Sequence, residues 1–263
     1  MGGALRAGPR VSGAATYVYG LLERKAPPAV AKAPAGPPGL GPLRALPVRD
    51  GMWLLAATAP LARYGAEAIE RGLQDLDWVS RCALGHERVV ESFLAAGTLL
   101  PMKLFTLFTG DAAALERSQA DAPRIARLLA RLRGKAEWGV RLRRTEQAQA
   151  PARRAARPVA SGREFLQRKL DERVVRRETT AGDRRAADSV FRDLSRHASA
   201  AVRKPLAEGA GRLLLDAVFL ATKAGAAALR RDVAARARAV RADGLELVLT
   251  GPWPAYHFLE GPR

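Results

Sequence analysis

Cys82 and His86 stand four residues apart, the spacing that puts a thiol and an imidazole on one face of a helix. Such a pair can contribute two ligands to a metal. A structural zinc site wants four, and the other histidines, His197 and His257, are far away in the chain. Cysteine–histidine nucleophilic catalysis needs a third, orienting group as well as proximity, and nothing beside this pair supplies one. The reading from the residues is a buried thiol, a partly exposed imidazole, and neither a metal nor a cofactor. His86 and Glu87 fit another task, holding a strand end in place by hydrogen bonding. Glycine-rich phosphate loops of the Gly-x-x-x-x-Gly-Lys-Ser/Thr or Gly-x-Gly-x-x-Gly kind are absent from the sequence. No carboxylate pair stands out either, so an enzyme has no residue to rest on.

Two other stretches offer contact chemistry. In Leu99–Lys103 a proline, Pro101, interrupts a strand-like run, with Met102 and Lys103 following. Proline removes a backbone donor, so this strand belongs at a sheet edge or begins at the proline. An open edge can accept another chain's strand; a protected edge does no more than end the sheet. At the far end, Leu245–Leu249 reads as a short strand and breaks into Thr250-Gly251-Pro252-Trp253-Pro254. Trp253, Tyr256 and Phe258 crowd into six positions. They either plug the last strand against neighbouring helices or form an aromatic contact patch, since Trp and Tyr are enriched at interface hot spots.

The elements that must position these residues alternate in type. Tyr17–Leu22 reads as a strand. Residues Ala26–Pro47 carry seven prolines and read as an extended loop. A short strand ending at Val48-Arg49 and a buried strand over Met52–Thr58 follow, with Asp50-Gly51 as the hairpin turn. A helix is predicted from Pro60 to about Leu73, and a second, capped by Asp75 or Asp77, through Ala96. On that second helix Gly85 falls where the apolar stripe wants a larger residue. Leu99–Phe108 reads as one strand. Asp111 is the predicted cap of a helical region reaching Leu132, with a restart near Pro123 capped by Asp121 and a stop at Gly134. Glu137–Arg144 places Trp138, Val140 and Leu142 on one face and mostly charges on the other. The expected class is α+β, with a mostly antiparallel sheet and helices on one face. Expected boundaries are a disordered N-terminus over 1–14, a domain over 15–146, a linker over 147–161, and a smaller α+β domain over 162–260. That last domain is read as a basic helical pair (162 to about 203), a strand (212–221), a helix (224–242) and the terminal strand.

Forty-four Lys and Arg against 26 Asp and Glu give a net charge of +18. Such a balance bears on attraction to anions rather than on fold. Nucleic acid, bound nonspecifically, is the alternative partner it allows, although it rests on charge alone with no recognition motif behind it. An acidic protein surface is equally allowed. Fifteen basic and five acidic residues lie between Arg131 and Arg177, a solvated basic stretch spanning the expected linker. The one cysteine rules out an intramolecular disulfide and suits a reducing cytoplasm. Neither a secretory signal nor an apolar run of about 18 residues is visible, so no membrane partner is expected. Arg6 occupies the Ser/Thr position that N-myristoylation requires.

Thr250–Phe258 closely resembles the C-terminal signature of the gas vesicle protein F/L family, with Ala255 and His257 where the usual motif has proline and serine. Other landmarks agree in order: Tyr17-Val-Tyr-Gly20, His86-Glu-Arg-Val-Val-Glu91, Leu99-Leu-Pro-Met-Lys103, Leu132–Val140 with its Gly134 and Glu137, and Gly162-Arg-Glu-Phe-Leu166. The family usually reads Phe-Gly-Thr after the Leu-Pro-Met-basic run, where this chain has Leu104-Phe105-Thr106. The resemblance implies a ferredoxin-like variant in the first domain. It also implies a non-catalytic accessory factor in building gas-filled protein shells, located in the cytoplasm and at the gas vesicle. The implied partners are the small, very hydrophobic major shell protein and other accessory proteins. On this reading Pro101, Met102, Lys103, Pro252, Trp253, Pro254, Tyr256 and Phe258 are candidate partner-binding residues. Tyr17, Tyr19, Gly20, His86, Glu87, Gly134, Glu137 and Gly251 are candidate structural-motif residues.

Overall fold

The structure, a computed structural model, describes residues 13–49, 51–145, 181–206 and 212–259. The expected linker over 147–161, the Gly162–Leu166 landmark, Asp50 and nearly all of the expected disordered N-terminus lie outside the described residues. The class is α+β with antiparallel sheets, and the chain divides into two compact units. One ends at Arg133 but also takes the chain from Pro254 on; the other runs from Gly134 to Trp253.

The first unit is built on a sheet of order β2-β3-β1-β4, with β5 also paired to β1. The strands are β1 (Ala14–Glu23), β2 (Arg44–Arg49), β3 (Met52–Pro60), β4 (Thr98–Pro101) and β5 (Leu107–Phe108). Pro47 lies within β2, an edge strand, where a missing donor costs no ladder bond. The expected extended loop therefore ends at Arg44 rather than at Pro47. Gly51 closes the β2–β3 hairpin at φ 71°. The central strand β1 is buried along almost its whole length. Its register against β3 shifts between Val18 and Gly20, and a bulge of this kind reverses the alternation of faces. Tyr17, Tyr19 and Leu22 consequently share one face and one core cluster. Val18 and Leu21 point the other way.

Helices cover both faces of this sheet, where the sequence suggested one. Around the tyrosine face lie α1 (Leu61–Tyr64), α2 (Ala66–Gly72) and α3 (Leu76–Ser92); Tyr64, Cys82, Val89 and Val90 join the tyrosine cluster. Against the opposite face lie α4 (Asp111–Ala120) and α5 (Ala122–Leu132), with Ala114, Ile125 and Leu129 buried. A strand hydrophobic on both faces, as β1 is, demands a layer on each side.

Several elements break where one was expected. Gly65 separates α1 from α2. The strand read over Leu99–Phe108 is two, β4 and β5, because Pro101 ends the first and Phe105 turns at φ 62°. Asp75 caps α3 through bonds from the Asp77 and Trp78 amides at 2.9 and 3.1 Å. Asp111, expected as a cap, instead stands at the start of α4 and binds Arg44 and Thr16, the Arg44 pair being two-pronged at 2.6 and 3.1 Å. Asp121 sits at the restart between α4 and α5, and its carboxylate accepts from Arg117 at 2.8 Å rather than capping. Gly85 needs no side chain in the apolar stripe. A Cβ there would lie 2.7 Å from the Gly36 backbone, so α3 packs directly on the proline-rich loop.

The second unit holds a sheet of order β7-β8-β6-β9: β6 (Lys135–Arg144), β7 (Ala200–Arg203), β8 (Leu213–Thr222) and β9 (Leu245–Trp253). Strand β6 was expected in the first domain. It is instead the inner strand here, pairing along its length with β8 and β9, so the unit boundary falls at Gly134 (φ 70°) and not near residue 147. The helix over 181–195, labelled α6, and α7 (Lys223–Ala242) cover one face. Trp138, Val140, Leu142, Leu215, Phe219, Leu229 and Val233 make the core. The other face carries cross-strand ion pairs: Arg143–Glu246 at 2.7 Å, Arg141–Asp216 at 3.6 Å and Lys204–Asp216 at 3.0 Å. The charged alternate positions of β6 predict this division. Strand β7 lies where a helical pair was expected. Strand β9 outruns its predicted end at Leu249 by passing Gly251, whose φ of 122° suits glycine alone.

Candidate functional site: a buried tyrosine–histidine network

His86 sits one turn beyond Cys82 on α3 and is 1 % exposed. Its ring is held by three segments remote from α3 in sequence. Nδ1 lies 2.7 Å from the Tyr17 hydroxyl of β1. Nε2 lies 3.0 Å from the Met102 carbonyl, immediately after β4, and 3.2 Å from the Tyr256 hydroxyl in the returning C-terminal segment. A carbonyl can only accept, so Nε2 carries the ring proton and Nδ1 accepts from Tyr17. Tyr19 stacks on the imidazole at 5.4 Å and 24°, and Tyr17 meets it edge-on at 5.7 Å. Burial holds the imidazole neutral, with its pKa lowered to about 4. Burial likewise pushes the hydroxyls of Tyr17, Tyr19 and Tyr64 well above the ordinary phenol value. For Tyr256, burial is reinforced by the nearby Glu87 carboxylate, which accepts its hydrogen bond.

These values describe groups that are uncharged near neutral pH, the tyrosines protonated and the imidazole neutral. Both ring nitrogens of His86 are engaged inside the fold, and the Cys82 thiol faces the Tyr64 hydroxyl at 4.0 Å, its pKa raised by burial. Among the described residues no group of three His, Cys, Asp or Glu could hold a metal ion. What the arrangement can do is mechanical. It ties β1, α3, the turn after β4 and the chain's C-terminal segment into one hydrogen-bonded set.

The candidate residues named from the sequence distribute themselves around this set. Tyr17, Tyr19, His86, Glu87, Met102 and Tyr256 meet in it. Gly20 lies beside it on β1, where a Cβ would come within 2.8 Å of the Leu100 carbonyl oxygen. Pro101 ends edge strand β4 and is buried; Lys103 is exposed. Pro254, Ala255 and Phe258 are buried, Phe258 completely, with the Arg131 guanidinium 5.9 Å from its ring centre. Pro252 and Trp253 are exposed, Trp253 by 41 %, at the end of β9 opposite Glu137 of β6. Its indole donates to the Thr250 hydroxyl at 3.1 Å.

Sequence reasoning missed an aromatic run that backs the network. Phe105 stacks on Trp78 at 5.3 Å and 11° and leans toward Tyr64 at 6.4 Å. The Tyr64 hydroxyl donates to the Pro38 carbonyl at 2.7 Å. The signal was the missing glycine at 105. A phenylalanine at positive φ persists only where its surroundings hold it there.

Comparison with known proteins shows the family and the fold. The model of the family described as "Gas vesicle synthesis protein GvpL/GvpF" matches residues 15–260. Gas vesicle protein L of Streptomyces sp. (strain CB03234) is 30 % identical over 260 residues, covering 92 % of this chain and 91 % of that one. Among solved structures, the crystal structure of gas vesicle protein GvpF from Anabaena sp. PCC7120 aligns with a TM-score of 0.67 at 16 % identity, covering 95 % of this chain and all of that one. GvpF from Microcystis aeruginosa gives 0.64 at 20 % identity, over 94 % and 99 %. The two structures establish the shared fold. With the family match spanning the described network from β1 to Phe258, the chain belongs to the gas vesicle synthesis protein GvpL/GvpF family.

Proposed function

We propose that this protein is an assembly factor that binds the hydrophobic gas vesicle shell subunit and other accessory proteins while vesicles form. The observation that carries the reading is the family match over residues 15–260. The chemistry of the site is in keeping with it. The buried His86, Tyr17 and Tyr256 groups bond to one another and to the backbone, which builds a rigid body rather than a reaction centre. Binding therefore falls to the surface. Pro252 and Trp253 form an exposed aromatic knob on the second unit, and Trp is a favoured interface anchor. Shell subunits of the expected kind aggregate when apolar surface and strand edges are uncovered. A transient partner covering such a surface would keep them deliverable to the growing shell. The expected place of action is the cytoplasm and the vesicle; no helix among the described residues is long and apolar enough to cross a membrane.

The test is co-expression of the tagged chain with the major shell protein of the same organism, followed by pull-down at low and high salt. Recovery of shell protein at both salts is expected, with a clear reduction for Trp253→Ala. Recovery of nucleic acid alone, lost at high salt, would replace this reading with charge-driven binding.

A further inference from the structure

The sheet face opposite the tyrosines contains a pocket of about 210 Å³ in the first unit. Its floor is Val18, Leu21 and Leu100, and its wall is Ile125 and Leu128 of α5. Pro101 and Met102, the edge residues singled out in the sequence, border it. The bulge in β1 creates it by turning Leu21 onto this face while Tyr19 and Leu22 stay on the other. The mouth is charged. Arg117 is paired with Asp121 at 2.8 Å, whereas Arg124, also at the mouth, is exposed and has no ion-pair partner among the described residues.

Size decides what fits. Pockets for small molecules run from about 300 to 1,000 Å³, so this one is too small for a drug-sized ligand or cofactor. It suits one large apolar side chain, the way an interface anchor seats in a desolvated pocket. Charge decides what surrounds that side chain. With Asp121 neutralised by Arg117 and Arg124 left over, on a chain of net charge +18, the mouth favours a carboxylate.

We propose that this pocket receives a large apolar side chain from an acidic segment of a partner protein, whose carboxylate pairs with Arg124. It rests on the assembly-factor reading only in taking the partner to be a protein.

The test uses the full chain and overlapping 20-residue peptides covering the major shell protein and the accessory proteins of the same organism, with binding followed by fluorescence anisotropy. A bound peptide should contain an acidic residue near a Leu, Phe or Trp, and replacing that anchor by Ala should abolish binding. Arg124→Glu changes an exposed side chain; with an unchanged circular dichroism spectrum, it should weaken binding about tenfold. Leu128→Trp fills the pocket and should weaken binding comparably, with an unchanged circular dichroism spectrum showing that it folds. Peptides that bind both variants as tightly as the original chain, or no peptide binding at all, overturn the pocket assignment. A successful pull-down alongside that result would leave the assembly-factor reading standing. A small amphiphile found on the purified protein by native mass spectrometry, and lost in Leu128→Trp, would also overturn it.

Discussion

The two units solve the same problem with different chemistry. Each packs helices against an antiparallel sheet, on both faces in the first unit and on one in the second, and must fill the space between. The second fills that space almost wholly with carbon, from Trp138 to Leu247, and keeps its ion pairs on the outer face and along the helices. The first places a histidine and the hydroxyls of Tyr17, Tyr64 and Tyr256 inside, each with a partner. Packing is tolerant of exchange so long as volume is kept. A hydrogen-bonded set is not, because a buried partner left orphaned incurs its full desolvation penalty. The second unit is thus held by amount of buried surface and the first by correct assembly of four segments.

The largest effect expected falls on the second unit. Phe219→Ala removes a fully buried ring opposite Trp138 and should cost about 3–5 kcal/mol. Hydrogen exchange at the amides of β6 and β8 measures it, and the loss should be the same at pH 5 and pH 7. A strong pH dependence there would erase the contrast between the units.

The first unit should behave oppositely. The His86 pKa is about 4 in the fold against an ordinary 6.5, so between these values the unfolded chain binds the extra proton. The stability due to a neutral His86 is complete above pH 6.5 and is lost as pH falls toward 4. A gap of about 2.5 pH units at about 1.4 kcal/mol each makes the full loss about 3–4 kcal/mol. His86→Gln keeps a donor for the Met102 carbonyl but cannot titrate. Urea unfolding from pH 7 to pH 4.5 should therefore fall less steeply in this variant than in the original chain. Equal slopes would mean that carboxylates, not His86, carry the acid sensitivity.

Tyr256→Phe tests the same network at its weakest tie. The ring stays, the bonds to His86 and Glu87 go, and the expected cost is about 1 kcal/mol. Local loss of protection at the Tyr256 and Phe258 amides, with β1 unchanged, would show that the returning segment is held by this hydroxyl.

Much of this contrast could be read in the sequence, and the unread parts have identifiable causes. The alternation Trp138-x-Val140-x-Leu142 with charges between predicts a one-sided strand, which β6 is. Its sheet was misassigned because strand pairing is non-local, and nothing in residues 135–144 names β8 and β9 as partners. The aromatic crowd after Gly251 was visible, but not its division. Trp253 ends a strand and stays exposed, while Tyr256 and Phe258, three and five residues on, are drawn into the first unit by a histidine 170 positions earlier. Asp111 reads as a cap from its place before a helix. Only the fold reveals Arg44 close enough to claim its carboxylate.

Phe105 sets the smallest expected effect and the finest test of the comparison. At φ 62° a side chain costs about 1–2 kcal/mol relative to an unstrained residue, and glycine would remove that cost. The ring in return stacks on Trp78 and approaches Tyr64, a gain of about 0.5–1.5 kcal/mol beyond the area it covers. Phe105→Gly should therefore change stability by less than about 1 kcal/mol, because two terms of opposite sign nearly cancel. Its effect should show instead in local order. With the stack gone, hydrogen exchange at the Thr106 and Val18 amides should quicken, since the Thr106 carbonyl accepts from Val18 at 2.9 Å. Unchanged exchange would mean that the strained turn is held by Tyr17 and the flanking strands alone, so that the phenylalanine fills space without ordering the network behind it.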